Sequence, residues 1–197
     1  MTVIIYFDYV CPFCYLEIPA LERLHREHGV VLDYRAFELR PDPVPTLDPA
    51  GDYLRTTWER SVYPLANRLG MEIHLPPVQP RSRLAFEGAE LARDYDQLMA
   101  YTRAVHEAFF LHGLDIGDVD VLAEAAASVG IDPVVLREVL HDRRYLSRVL
   151  QQEQEAAQLG IASVPTVILN NYLVPGCVPY EALVKILNMK AERTTSS

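Results

Sequence analysis

Eight residues, Asp8-Tyr9-Val10-Cys11-Pro12-Phe13-Cys14-Tyr15, constrain this chain more than any others. They follow an apolar run, Val3-Ile4-Ile5-Tyr6-Phe7, whose β-branched and aromatic content predicts a buried strand. They open a stretch to His28 in which Ile18, Leu21 and Leu24 share one helical face and Gly29 supplies the stop. Strand, turn and helix start therefore converge on two cysteines. Cys11 falls at the helix N-cap and Pro12 at the first helical position, where its fixed φ is helical and its missing N–H costs nothing. The unpaired N–H groups and the positive end of the helix dipole favour a thiolate on Cys11. Cys14 follows one turn later, less exposed, placed to attack a mixed disulfide formed at Cys11. A C-x-x-C in this setting reads as a dithiol–disulfide motif. The competing reading, half of a zinc site, needs two more ligands. Cys177 and a histidine are the only candidates and no second C-x-x-C exists, so no metal is expected. Inert buried thiols are opposed by the access that Pro12 and the helix start give Cys11.

The remaining chain sets limits on function. Its 197 residues, half of them hydrophobic, suffice for one good core or a core with an inserted lobe. Acids outnumber bases 27 to 18, for a net charge of −9, which disfavours nucleic acid and anionic membranes as partners. Three cysteines do not make a secreted disulfide framework. No apolar run spans a bilayer and no leader precedes the first strand, so the expected location is cytoplasmic.

Taken in order, Val3–Phe7, a helix over Cys11–His28 kinked at Pro19, and Val30–Leu39 make a β-α-β unit with parallel strands. The proline-rich stretch from Arg40 to Pro49 excludes a central strand or a helix and marks the exit into an insertion. Residues 51–159 read as helices. Asp52–Leu69 is interrupted at Pro64, and 71–80 is an extended linker. Ser82, Asp96, Asp118 or Asp120, Asp132 and Asp142 are the candidate helix starts that follow. Strands return at Val164–Leu169 and Tyr172–Val174 around an Asn170-Asn171 turn, and Pro179–Met189 closes the chain as a helix before the polar tail Thr194–Ser197. The predicted organisation is a discontinuous α/β domain, residues 1–40 and 160–193, carrying an all-helical insertion, residues 41–159.

This order, with the Cys11-Pro12-Phe13-Cys14-Tyr15-Leu16 motif, Ser163-Val164-Pro165-Thr166, and Gly176 through Pro179-Tyr180-Glu181, resembles the DsbA family of thioredoxin-like oxidoreductases over nearly the full length. It is most similar to the FrnE-like group within that family. The resemblance implies a thioredoxin-like fold in which Pro165 is the cis-proline facing the C-x-x-C. It implies that Val164 pairs with an extended client chain, and that Pro12, Phe13, Thr166 and Gly176 border the client. It also implies that no cofactor is required, with redox exchange through glutathione or a thioredoxin-type partner.

The chain departs from the family in three places. Six residues before Cys11, where many thioredoxin-fold enzymes carry a buried acid that serves the inner cysteine, stands Ile5. Asp8 and Glu38 are the nearest candidates for proton transfer. The middle residues are Pro-Phe rather than Pro-His. Cys177 occupies a loop position where relatives carry a small residue; it is either a core filler or an auxiliary thiol near Cys11.

The leading functional expectation is a thiol–disulfide oxidoreductase or isomerase. Cys11 is the nucleophile, Cys14 the resolving thiol, and client proteins carrying thiols or disulfides are the partners, with the chain a monomer or weak homodimer. One alternative is a kappa-class glutathione transferase or a 2-hydroxychromene-2-carboxylate isomerase, enzymes that share the fold but usually place serine where Cys11 stands. Another is a peptide-binding chaperone module.

Overall fold

The computed structural model describes residues 1–189. The last residues of the predicted second α/β segment and the tail Thr194–Ser197 lie outside the described residues. β1 (Thr2–Phe7), α1 (Pro12–His28) and β2 (Val31–Ala36) form a β-α-β unit, with β1 and β2 parallel in register from Thr2 opposite Val31 to Phe7 opposite Ala36. β3 (Thr166–Leu169) runs antiparallel beside β1, with Ile5 opposite Val167, and β4 (Tyr172–Pro175) folds back on β3. The sheet order is β2-β1-β3-β4. Asn170 and Asn171 turn the hairpin at φ 53° and 67°, a left-handed pair that asparagine tolerates better than most residues. β3 begins at Thr166 rather than Val164, because Pro165 has no N–H to give to a ladder.

α1 runs unbroken through Pro19, which lies on its exposed side, so the helix passes the proline instead of ending there. Gly29 closes it at φ 65°, its N–H donating to the His25 carbonyl at 2.9 Å.

Between β2 and β3 lie α2 (Asp52–Thr57), α3 (Tyr63–Leu69), α4 (Arg83–Asp94), α5 (Leu98–Phe110), α6 (Val119–Ser128), α7 (Pro133–His141) and α8 (Leu146–Gln158). The predicted break at Pro64 is instead a π turn, Trp58–Val62, joining α2 to α3, with the Tyr63 N–H reaching back to the Trp58 carbonyl. Pro64 cannot donate to a carbonyl four residues earlier, and the chain widens by one residue to pass it. Asp118 and Asp132 cap α6 and α7 as expected, accepting from Asp120 N and Val134 N at 2.8 Å each. Two predicted starts move. Asp96 adopts φ 57° in a turn and α5 begins at Leu98; Arg143 adopts φ 53°, and α8 begins at Leu146 rather than at Asp142. α9 (Tyr180–Leu187) packs on α1 and β3.

Side-chain alternation on β1 divides the interior. Val3, Ile5 and Phe7 enter the main core, whereas Tyr6 packs with Ala156 and Ile161 on the other face. The main core runs without a break from the sheet into Phe86, Tyr101, Phe109, Leu122 and Leu136 of the helical segment. The residues expected in the α/β domain and those expected in the insertion thus share this core cluster. α8 and α4 also cover the β2 edge: Gln152 Oε1 accepts the Ala36 N–H at 2.8 Å, and Arg93 donates to the Tyr34 carbonyl at 2.6 Å.

Candidate active site

The end of β1 delivers the chain to the thiols through a turn fixed by Asp8. The Asp8 carbonyl accepts the Cys11 N–H at 3.0 Å. Its carboxylate accepts Val10 N at 3.3 Å and Leu39 N at 2.6 Å, tying the loop before α1 to the loop after β2. Ser82, at the start of α4, lies beside the same carboxylate and lowers its pKa; it makes no side-chain bond to its own helix. Asp8 is fully buried, and that burial raises its pKa to about 6.

Cys11 occupies the N-cap of α1 with φ −87° and ψ 113°, and Pro12 the first helical turn. The Cys11 carbonyl accepts Cys14 N at 3.1 Å, so the two thiols stand one turn apart, both reduced. Burial first, then the neighbouring Cys11 thiol, push the Cys14 pKa well above an ordinary thiol's, and the Asp8 charge adds to this. One expectation needs correction. Cys11 is no more open than Cys14, each being 4 % exposed. The reason lies opposite: the Cys11 thiol donates to the Val164 carbonyl at 3.5 Å, and the Val164–Pro165 bond that follows is cis.

The structure distributes the other expected site residues unevenly. Pro12 and Phe13 wall a cleft of about 260 Å³ that also touches Val10, Leu47, Tyr53 and Trp58. Val164 and Pro165 face Cys11 as described. Gly176, at φ 84°, donates its N–H to the Pro165 carbonyl at 2.7 Å, which pins the loop carrying Cys177 to the Val164–Pro165 turn. Thr166 is buried: its hydroxyl donates to the Ser163 carbonyl at 2.7 Å, and its backbone lies in the sheet between Tyr6 and Pro175. Glu38 is engaged by Arg83, with Glu153 sharing the same guanidinium at 3.5 Å, and makes no hydrogen bond to either thiol among the described residues. Of the two acids proposed from sequence, Asp8 is the one beside Cys14.

Two polar residues at the site escaped the sequence reading. His106 of α5 is wholly buried, 5.0 Å from the Tyr9 ring and stacked 6.0 Å from Tyr15, with Nδ1 bonded to the Thr102 carbonyl at 2.9 Å. Burial lowers its pKa to about 4 and keeps it neutral. Glu17, three residues after Cys14, is buried on α1 and accepts Val178 N at 3.2 Å. Its one sequence signal is a charge on the helix face that also carries Cys14, Ile18 and Leu21. Around the motif, Phe7, Tyr9, Phe86, Tyr15, Phe110 and Trp58 pack ring against ring at centroid distances of 4.8 to 6.0 Å, which holds the turn rigid.

A mixed four-stranded sheet, with paired thiols at the start of the helix after β1, defines a protein of the thioredoxin-like class. The chain belongs to the DSBA-like thioredoxin domain family, whose pattern matches residues 2–188. It is 36 % identical over 188 residues to the uncharacterized protein YwbO of Bacillus subtilis (strain 168), covering 93 % of this chain and 94 % of that one. It is 25 % identical over 185 residues to the 2-hydroxychromene-2-carboxylate isomerase of Sphingobium xenophagum, covering 89 % and 92 %. Its fold superposes on the crystal structure of the probable DsbA oxidoreductase SCO1869 of Streptomyces coelicolor with a TM-score of 0.83 and 26 % identity, covering 100 % of this chain and 93 % of that one. Among the described residues no helix is long and apolar enough to cross a membrane.

Proposed function

We propose that the chain is a thiol–disulfide oxidoreductase or isomerase acting through Cys11 and Cys14. The observation that carries this reading is the pair of free thiols on the first turn of α1, with Cys11 set against the Val164 carbonyl. Cys11 thiolate attacks one sulfur of a client disulfide; a Cys11–client bond forms and the client disulfide breaks, releasing a client thiolate. Cys14 passes its proton to the Asp8 carboxylate, and its thiolate attacks Cys11 Sγ. The Cys11–Cys14 disulfide forms and the client leaves fully reduced. Two molecules of glutathione, leaving as glutathione disulfide, or one thioredoxin-type dithiol, leaving as its disulfide, return the pair to the dithiol. Run backwards, the same steps donate a disulfide.

Asp8 suits the role because a pKa near 6 leaves it ionised at neutral pH while making it a stronger base than an ordinary carboxylate. The cleft beside Phe13 would take an apolar side chain of the client next to its cysteine. The reading is completed by a cytoplasmic location and by a monomer or weak homodimer. Trapping tests it. Cys14→Ser should accumulate a mixed disulfide at Cys11 with a disulfide-bearing client, and Cys11→Ser should accumulate none. Equal turnover by both variants would overturn it.

A second reading is favoured by one observation, the 25 % identity to a 2-hydroxychromene-2-carboxylate isomerase along most of both chains. It casts the cleft as a small-molecule site with glutathione beside Cys11. Turnover of such a substrate by Cys14→Ala at the wild-type rate would support it.

A further inference from the structure

Cys177 has no part in the steps above, yet its loop is pinned to the same turn. The Cys11 thiol donates to the Val164 carbonyl at 3.5 Å, and the N–H of Gly176, the residue before Cys177, donates to the next carbonyl, Pro165, at 2.7 Å. Cys11 and the loop that carries Cys177 thus meet one dipeptide, and the Cys11 charge reaches the Cys177 thiol. On the other side of Cys177 stands Glu17, 1 % exposed, with Oε1 held by Val178 N at 3.2 Å and Oε2 without a partner among the described residues. An unsatisfied carboxylate oxygen buried beside a thiol is costly as structure and useful as a proton acceptor. The thiol is also reachable: it borders an apolar cleft of about 330 Å³ between α1, α3 and α9, touching Leu16, Leu65 and Val178.

We propose that Cys177 is a second resolving thiol for Cys11, with the Glu17 carboxylate taking its proton. The proposal rests on Cys11 being the nucleophile. With a client bound as a Cys11 mixed disulfide, the Cys177 proton moves to Glu17, and the thiolate attacks Cys11 Sγ. The Cys11–Cys177 bond forms, the Cys11–client bond breaks, and the client leaves as a thiolate that takes a proton from water. Cys14 can then attack Cys11, giving Cys11–Cys14 and returning Cys177 as a thiol.

The electrostatics fit. Burial first, then charge on Glu17 and on Cys11, push the Cys177 pKa up to about 12, so the thiol needs a base. Burial raises Glu17 to about 8, and the carboxyl group accepts a proton only above that pH. The other titratable groups around it are Tyr34 of β2, which the Glu17 charge reaches, and Arg23, Tyr180 and Glu181 at the mouth of the cleft.

Glutathione disulfide is the probe. Cys14→Ser protein is mixed with it across pH 6–9, quenched with an alkylating agent and mapped by mass spectrometry. The expected course is a Cys11–glutathione adduct that converts to a Cys11–Cys177 disulfide, with a rate that rises through about pH 8. Adding Cys177→Ser should leave the adduct in place. Adding the isosteric Glu17→Gln, which keeps the acceptor for Val178 N, should slow conversion at pH 8.5 by about tenfold or more and remove the inflection. A lasting adduct with Cys177 free overturns the thiol's role; conversion untouched by Glu17→Gln overturns the acid's. Wild-type protein run alongside separates these from failure of the parent reading, which would show neither a Cys11 adduct nor a Cys11–Cys14 disulfide.

Discussion

The Cys11 thiol rests 3.5 Å from the Val164 carbonyl, 153 residues away in sequence. Everything between them, from the second strand to the last long helix, is folded so that β3 returns beside β1 and brings this one carbonyl to the helix N-terminus. The contact explains why a cysteine at an N-cap is only 4 % exposed. On the proposed function, a client cysteine would reach Cys11 beside the Val164–Pro165 turn or through the cleft at Phe13.

Asp8 should tie catalysis to pH and cost stability. Its folded pKa of about 6 lies above the ordinary 3.8, so the folded state binds the proton more tightly than the unfolded one. Its stabilising contribution is full below the ordinary value and is lost as pH rises through about 6. Between pH 4 and 8 wild type should therefore lose up to about 3 kcal/mol that Asp8→Asn does not lose, while the variant's mixed disulfide at Cys11 survives about tenfold longer or more. Thermal unfolding from pH 4 to 8 and the adduct lifetime measure the two effects. Parallel stability curves with an unchanged lifetime would refute both.

His106 acts in the opposite direction. Its folded pKa of about 4 lies below the ordinary 6.5, so its contribution is full above that ordinary value and is lost as pH falls through about 4. Wild type should lose about 3 kcal/mol from this group on acidification, and His106→Phe should flatten the acid limb of the stability curve. Urea midpoints at pH 4, 5 and 7 test this; parallel curves for the two proteins would contradict it.

Gly88 offers a test of packing. Alanine in mid-helix normally gains about 1 kcal/mol over glycine. Here the added methyl would meet the Tyr101 hydroxyl and lie 2.8 Å from Tyr101 Cζ and 3.3 Å from Leu136 Cδ1. Tyr101 is fully buried and cannot step aside, so overpacking of about 1–3 kcal/mol should win. A Gly88→Ala protein with an unchanged or higher melting temperature would show that α4 and α5 have room to separate.

Phe109 probes the continuity of the core. It is fully buried in the helical segment, in the same cluster as Val3 and Ile5 of the sheet. Phe109→Ala should cost about 3–5 kcal/mol and lower a single unfolding transition. Two transitions, with only the helical signal weakened, would show that the segment folds as a separate unit.

Much of this fold could be read from local signals. The Val3–Phe7 run, Pro12 after Cys11, the Asp118 and Asp132 caps and the Asn170-Asn171 turn each specify their own backbone, and each appears where expected. Ser82 stands at the N-cap of α4 as expected, though it lies beside Asp8 and makes no side-chain bond to its own helix. The misplacements came where the signal was not local. Arg143 takes a left-handed turn that its residue type does not announce. Pro64 marked a disturbance correctly, but whether the helix breaks or widens depends on what Trp58 and Val62 bury. The same division holds at the site. Cys11 and Cys14 are legible because their spacing is the chemistry. Glu17 and His106 are not, because a charge on a helix acquires its meaning from the loop or strand that covers it.

The most direct test is the redox equilibrium of the wild-type protein in glutathione buffers of graded ratio, with thiols counted and bridges mapped by mass spectrometry. A Cys11–Cys14 disulfide that forms and disappears in one two-electron transition is the result this account predicts. Protein that stays wholly reduced, or carries glutathione without ever closing a bridge to Cys11, would contradict it.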